Sequence, residues 1–265
     1  MGVKTDLILK DSNLLFEDFT FEKIEPTKDG ISDTTYLAFK NENTYIIKHY
    51  EDATLLEINE EKKLLNYLTR CKLRVPSTLS VNKSNEKWRL FSCINGKSIK
   101  RTSYSHIAQI AKFLSKMHSC TKDKSSVKKL FKKDDIIKEL NIVAGKNIKM
   151  YYKFKEILKL LNNKNDGIIH GDLFTDNAKF TNNRLSGVYD FIEAGEGSFI
   201  LDVGVTALSF AFSSLSQKKY FLRCYNSSSR KKIKYIELEN AIKFASLFYA
   251  MKRFNSNKLN YKELL

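Results

Sequence analysis

The chain has 265 residues, with 46 Lys and Arg against 30 Asp and Glu, four cysteines, two prolines and one tryptophan. Its 42% hydrophobic and 12% aromatic residues are a globular composition that excludes a disordered chain, and the length suffices for one large domain or two modest ones. The net charge of +16 is nearly all lysine, 38 Lys to 8 Arg, and so lacks the planar arginine forks that read phosphates and base edges; a lysine-rich solvated surface is expected rather than a nucleic-acid face. Cys71, Cys93, Cys120 and Cys224 form no Cys-x-x-Cys pair, so neither a zinc site nor a disulfide framework is expected, and scattered thiols fit a reducing compartment. Lys4, Asp6 and Lys10 interrupt the start of the chain, so no signal peptide is expected there. The longest weakly charged run, residues 203–216, is shorter than the roughly 20 residues of a membrane span. A cytoplasmic protein with no membrane partner is the expectation.

The first ninety residues alternate strand-like and turn-like text. Residues 19–24 show a partial period-two pattern that predicts a strand, and a turn follows from Pro26 to Gly30. Residues 35–39 and 44–48, joined through Asn41-Glu42-Asn43, predict a hairpin. From 54 to 69 the period changes: Leu55, Ile58, Leu64, Leu65 and Leu68 recur at helical spacing, with acids early and bases late. Pro76 closes that stretch, and 88–94 reads as another strand. After Asn95-Gly96 the text turns helical. Residues 106–118 place Ile107, Ile110, Ala111, Leu114 and Met117 on one face, and 134–140 and 151–161 predict further helices. Short strands return at 168–169, 178–180 and 185–189, and from Asp202 the chain is helical to its end. This order predicts an α+β fold in two lobes: 1–92, a hinge at 93–96, and 97–265.

The chemistry is concentrated in residues 168–180, Ile-Ile-His-Gly-Asp-Leu-Phe-Thr-Asp-Asn-Ala-Lys-Phe, and 187–191, Gly-Val-Tyr-Asp-Phe. His170, Asp172, Asp176 and Asn177 follow one short apolar strand, and Asp190 ends another. Phosphoryl transfer needs a carboxylate beside the acceptor hydroxyl and oxygen ligands for the magnesium that bridges the phosphates. An Asp five residues before an Asn supplies the base and one ligand, and the later Asp supplies the other. Taken singly, His170 reads as a packed histidine, Lys48 as one of 38 lysines and Gly30 as a turn glycine. The ordered string carries the reading.

That string resembles the aminoglycoside phosphotransferase-like small-molecule kinases, relatives of the protein kinases. Their two-lobed protein-kinase-like fold has a strand-rich N-lobe and a mostly helical C-lobe. Within the family, His170-Gly-Asp-Leu-Phe-Thr-Asp-Asn177, Val188-Tyr-Asp-Phe191 and Leu201-Asp202-Val-Gly-Val205 look most like the bacterial homoserine kinases of this type. The resemblance covers nearly the whole chain and implies ATP and Mg2+ as cofactors. It implies that Asp172 accepts or orients the acceptor hydroxyl, that His170 positions the loop, and that Asn177 and Asp190 hold Mg2+. Lys48, ending Tyr-Ile-Ile-Lys, would neutralise nucleotide phosphates and be held by an acid of the next helix. Glu61 matches that acid, with Glu60 and Glu57 left open. Backbone at Gly30, Ile31 and Ser32 would lie over the phosphates, and Ser92, Cys93 and Ile94 would meet the adenine edge. Asp202 resembles the family's buried aspartate that braces the catalytic loop through backbone N–H groups. Ile192 departs from the glycine that protein kinases carry after Asp-Phe.

The implied activity is phosphorylation of a small-molecule hydroxyl, with L-homoserine favoured and threonine biosynthesis the corresponding context. Choline, ethanolamine, sugars and aminoglycosides stand as alternative acceptors, and a non-catalytic nucleotide-binding protein is the alternative of a different class. Arg101, Glu193 and Glu196 are the charged candidates for an amino-acid acceptor. The expected partners are ATP and the acceptor, without nucleic acid, on a monomer or homodimer.

Overall fold

In the computed structural model, which describes residues 3–16, 18–27, 33–212 and 214–265, the chain groups into two units. One comprises Met1–Gly96 with Ser186–Ile192, the other Lys97–Leu185 with Glu193–Leu265. The expected boundaries do not provide for the return of Ser186–Ile192 to the first unit. The physical reason is local: the Val188 N–H donates to the Arg74 carbonyl at 3.0 Å, and Gly187 lies so close to Ile94 that any side chain there would press on it.

The first unit begins with a short helix α1 (Leu9–Leu15), which has too little apolar periodicity to be read from sequence. Strands β1 (Lys23–Pro26), β2 (Thr34–Lys40) and β3 (Asn43–His49) follow, then helix α2 (Leu55–Arg70) and strands β4 (Thr78–Val81) and β5 (Trp88–Ser92). They form one antiparallel sheet in the order β1-β2-β3-β5-β4. The predicted hairpin is β2–β3. Asn41 and Glu42 both take positive φ, 47° and 61°, the conformation that a two-residue turn needs to match strand twist. The strand expected at 19–24 starts instead at Lys23, because the Asn13 side chain takes the Phe21 backbone: the Phe21 N–H donates to Asn13 Oδ1 at 2.7 Å and its carbonyl accepts Asn13 Nδ2 at 3.3 Å, while the ring is buried beside Phe16, Tyr36, Ile47, Trp88 and Leu90. Pro26 ends an edge strand, where its missing N–H costs no ladder bond.

Helix α2 starts at a capping box in which Thr54 and Glu57 satisfy each other's orphan donors. Its buried stripe is Ile58, Glu61, Leu64, Leu65 and Leu68, spaced as an apolar face should be but with one carboxylate in it. The register of the sheet sets Thr35 and Arg89 opposite Lys48.

The second unit is built on α3 (Tyr104–Thr121), α4 (Lys133–Lys146), α5 (Ile148–Lys155) and α6 (Ile157–Leu160). After these come β6 (Gly167–Ile169), β7 (Ala178–Thr181), β8 (Arg184–Val188) and β9 (Gly195–Gly197), then α7 (Phe199–Phe210), α8 (Leu215–Ser228) and α9 (Tyr235–Asn255). Strands β6 and β9 pair, as do β7 and β8. Every residue of the predicted apolar face of α3 is buried. Helices α7 and α9 lie in close contact because Gly204 meets the backbone of Ala241, where a Cβ would overlap. Ile136, Leu140, Phe154, Leu201, Phe244 and Met251 fill the core between the helices. No helix among the described residues is long and apolar enough to cross a membrane, and none of the four cysteines is in a disulfide.

Candidate active site

Two polar clusters stand out, one in each unit. In the first unit, Lys48 near the end of β3 sets its Nζ 3.0 Å from Asp33 Oδ2 and 3.0 Å from Asp190 Oδ1. The ammonium also lies over the Tyr50 ring, 4.6 Å from its centroid. Burial alone would lower the Lys48 pKa, but the charges of Asp190, Glu61 and Asp33 outweigh it and hold the group well above its usual range. Lys48 therefore stays a cation at any working pH.

The sequence-expected pair of Lys48 with Glu61 takes a different form. Glu61 Oε2 accepts the hydroxyl of Tyr50, and its Oε1 accepts the backbone N–H of Phe191 at 3.1 Å. Only 6% of Glu61 is exposed. Burial pushes its carboxyl up, and the opposing pull of Lys48 and the Tyr50 bond does not cancel that. Glu61 thus reaches Lys48 through its field, and tethers the residue after Asp190 directly. The alternatives are committed elsewhere, Glu57 to the cap of α2 and Glu60 to Lys63 at 2.9 Å. Asp190 has φ 65°, a left-handed conformation that Asp tolerates better than most residues and that marks a held position.

Of the nucleotide-facing residues expected at the hinge, Ser92 is committed inside the sheet: its N–H donates to Ser77 O and its Oγ accepts the Ser77 N–H, both at 2.9 Å. Gly30, Ile31 and Ser32 lie outside the described residues.

In the second unit, β6 delivers His170, fully buried, and Gly171, whose φ of 79° and tight fit against Leu130 admit only glycine. Asp202, 0% exposed in the first turn of α7, accepts the His170 N–H at 3.0 Å on Oδ2 and the Gly171 N–H at 2.9 Å on Oδ1. His118 Nε2 meets the same Oδ2 at 2.9 Å, and Tyr225 Oη lies 2.8 Å from His118 Nδ1. Burial by itself would raise the Asp202 pKa, yet the His118 bond and charge, the field of His170 and the Gly171 N–H bring it below its ordinary value. Asp202 is thus a buried anion satisfied by donors on every side.

The loop so braced presents Asp172. Its N–H donates to His170 Nδ1 at 3.3 Å. Asn177, on a 3-10 turn at Thr175–Asn177, donates Nδ2 to the Asp172 carbonyl at 2.8 Å and to its Oδ2 at 3.1 Å. The five-residue spacing thus folds back on itself. Tyr249 of α9 completes the setting, with its hydroxyl at 2.6 Å from Gly171 O and 3.1 Å from Asp172 Oδ1.

Sequence reasoning missed Asp33, Tyr50, His118 and Tyr249. Asp33 sits beside the predicted turn and carried the strongest available signal, a carboxylate flanking a glycine turn. The tyrosines carried none, since a phenol's partner is set by tertiary packing. Among the acceptor candidates, Glu196 is buried and accepts the Ser126 N–H at 2.9 Å and Asn165 Nδ2 at 2.6 Å, so its task is structural. Glu193 pairs with Lys128 at 2.7 Å.

The profile of the phosphotransferase enzyme family matches residues 23–226. Among curated proteins, the homoserine kinase of Methylobacillus flagellatus is 23% identical over 190 residues, covering 66% of this chain and 60% of that one. The homoserine kinase of Polaromonas naphthalenivorans is 22% identical over 209 residues, 69% of this chain and 64% of that one. The chain therefore spans less than two thirds of the length of these relatives. The homoserine kinase of Bartonella henselae is 22% identical over 247 residues, covering 80% of this chain and 73% of that one. Two solved structures share the fold over nearly the whole of both chains. The gentamicin complex of APH(2")-IIa has a TM-score of 0.69 at 18% identity, covering 98% of this chain and 95% of that one. The choline kinase LicA from Streptococcus pneumoniae has a TM-score of 0.70 at 16% identity, covering 96% and 94%.

Proposed function

We propose that this chain, which belongs to the phosphotransferase enzyme family, transfers the γ-phosphoryl group of ATP to a hydroxyl of a small molecule, L-homoserine being the favoured acceptor. The observation that supports it most is the Asp172–Asn177 contact on a loop whose backbone N–H groups are held by the buried Asp202. Asp172 accepts or orients the acceptor's hydroxyl proton, a role worth about 10²–10⁴ in rate. Asn177 and His170 keep that carboxylate and its loop in place. Lys48 meets the nucleotide phosphates as a point charge, and Glu61 and Asp33 keep it charged. Cys93 and Ile94 take the adenine edge.

Asn177 and Asp190 are the proposed holders of Mg2+, and their chemistry fits it. Asn177 spends its Nδ2 on Asp172, which leaves its Oδ1 to meet a cation, and Asp190 offers a carboxylate 41% exposed at its side chain. Both are hard oxygen donors, the kind this ion takes. When bound, the ion offsets charge on the phosphates.

Three curated relatives named homoserine kinase favour that acceptor, and the choline kinase and aminoglycoside neighbours define the others to be tried. A polycationic aminoglycoside suits a chain of net charge +16 less well. The test is ADP release from Mg-ATP over L-homoserine, choline, ethanolamine, sugars and aminoglycosides. L-Homoserine is expected to raise turnover well above the acceptor-free rate. Another acceptor doing so would replace it as substrate, and silence across the panel would sink the enzyme reading.

A further inference from the structure

The carboxylate of Asp172 must present one face to its acceptor, yet the last torsion of an aspartate is broad and roughly two-fold. Asn177 Nδ2, 3.1 Å from Oδ2, meets one of its two oxygens. The second hold comes from Tyr249, 77 residues further along the chain, whose hydroxyl lies 3.1 Å from Oδ1. The same hydroxyl lies 2.6 Å from the Gly171 carbonyl, so its one proton is shared between that oxygen and Oδ1, a three-centre bond that ties the carboxylate to the backbone of its own loop.

Tyr249 is itself held. Its ring stands edge-to-face on Phe174, with centroids 4.8 Å apart, and on Phe248 at 5.4 Å. Helix α9, which carries it, is locked against α7 through Gly204, and α7 carries Asp202, which braces Gly171. Burial first, then the charge of Asp172, push the Tyr249 hydroxyl well above its usual value, so it keeps its proton and remains a donor.

We propose that Tyr249 is a positioning residue for Asp172, fixing the plane of its carboxylate so that the acceptor hydroxyl meets it in one orientation. The inference rests on Asp172 acting as the base in the reading above. It differs from the roles expected of the loop itself, because the group responsible lies on α9 and leaves no mark in the motif.

The test is Tyr249→Phe, which keeps the ring and its stacking and removes only the hydroxyl. Misplacement of a reacting group by a fraction of an ångström to an ångström costs up to about a hundredfold, so kcat is expected to fall about tenfold to a hundredfold. The KM for ATP should stay within about twofold, since the nucleotide contacts are elsewhere. Phe174→Leu leaves the hydroxyl but loosens the ring, and a smaller fall in the same parameter is expected. Melting temperature and ADP affinity are measured on both variants. Unchanged kcat in Tyr249→Phe, or a loss appearing only in the KM for ATP, overturns the proposal while the kinase reading stands. Loss of the folded state in Tyr249→Phe overturns it as well, because the hydroxyl would then serve stability. A wild-type protein silent over the acceptor panel overturns both.

Discussion

The two polar clusters hold their carboxylates by opposite means. In the first unit one ammonium, Lys48, answers to Asp33, Asp190 and Glu61, so negative charge is in surplus around a single cation. In the second unit Asp172 and Asp202 are held by directed donors: backbone N–H groups, Asn177, Tyr249 and His118. Charge balanced by charge can be re-partnered when phosphates and a divalent ion arrive, because the Coulomb term has little directional preference. A carboxylate held by oriented dipoles keeps its geometry through the reaction, which is what electrostatic preorganisation requires. The first cluster reads as the part that adapts to a ligand, the second as the part that stays fixed.

The largest effect is expected at the fixed cluster. Asp172→Asn keeps the shape and removes the proposed base, so kcat should fall by about 10²–10⁴ while the KM for ATP changes little. A matching rise in the KM for ATP would break the division between the clusters. Lys48→Met acts on the other side: kcat/KM for ATP should fall on the order of a hundredfold, as for loss of one oriented charge donor. That variant also leaves Asp33 and Asp190 without their cation, and its requirement for Mg2+ should steepen. A loss confined to kcat, with nucleotide binding intact, would show that Lys48 is as fixed in its task as Asp172.

Asp202→Asn tests preorganisation through stability. The new amide must turn a donor toward one of the two backbone N–H groups that Asp202 now accepts, leaving a buried donor unmet at a cost of about 1–3 kcal/mol. The pH sign follows from the depressed carboxyl of Asp202. Its contribution is present above the ordinary aspartate value, near 4, and is lost as pH falls through the still lower folded value. Urea melts of the wild type should therefore weaken toward acid, and Asp202→Asn should flatten that slope. Parallel slopes in the two proteins would mean that Asp202 is no anion in the fold.

How much of this was legible in the sequence depends on how local each feature is. The β2–β3 hairpin, α2 and α3 follow from period and turn residues within a few positions, and they stand where the text placed them. The strands β4 and β9 escaped notice because four and three residues are too short to establish a period. Asp172 and Asn177 were readable as candidates from their short, ordered spacing, and Asp202 from the resemblance alone. Glu61 was half readable. Its place in the helix after Lys48 matched the family's acidic partner, but its side-chain partner is the hydroxyl of Tyr50 and not the ammonium nearby. Tyr50, His118 and Tyr249 were illegible for one reason: aromatic and histidine side chains fill cores routinely, and only the folded chain shows which way the polar end points.

The smallest effect should come from Tyr50→Phe, and its pH dependence distinguishes the clusters best. Tyr50 gives Glu61 Oε2 its hydrogen bond, so losing the hydroxyl leaves a buried carboxylate short of one donor. The cost is about 1–2 kcal/mol where Glu61 is ionised. Because burial already holds the Glu61 carboxyl above its ordinary value, the folded state binds its proton more readily than the unfolded chain does. Stability from this group therefore falls as pH rises from the ordinary glutamate value through the raised folded one, the opposite sign to Asp202. Removing the Tyr50 donor raises that folded value further and widens the window, so the penalty should shrink at acid pH and grow toward neutrality. Urea melts of wild type and Tyr50→Phe from acid to neutral pH measure it. A penalty that grows toward acid instead would give both clusters the same linkage, and the contrast between adaptable and fixed charge would have to be abandoned.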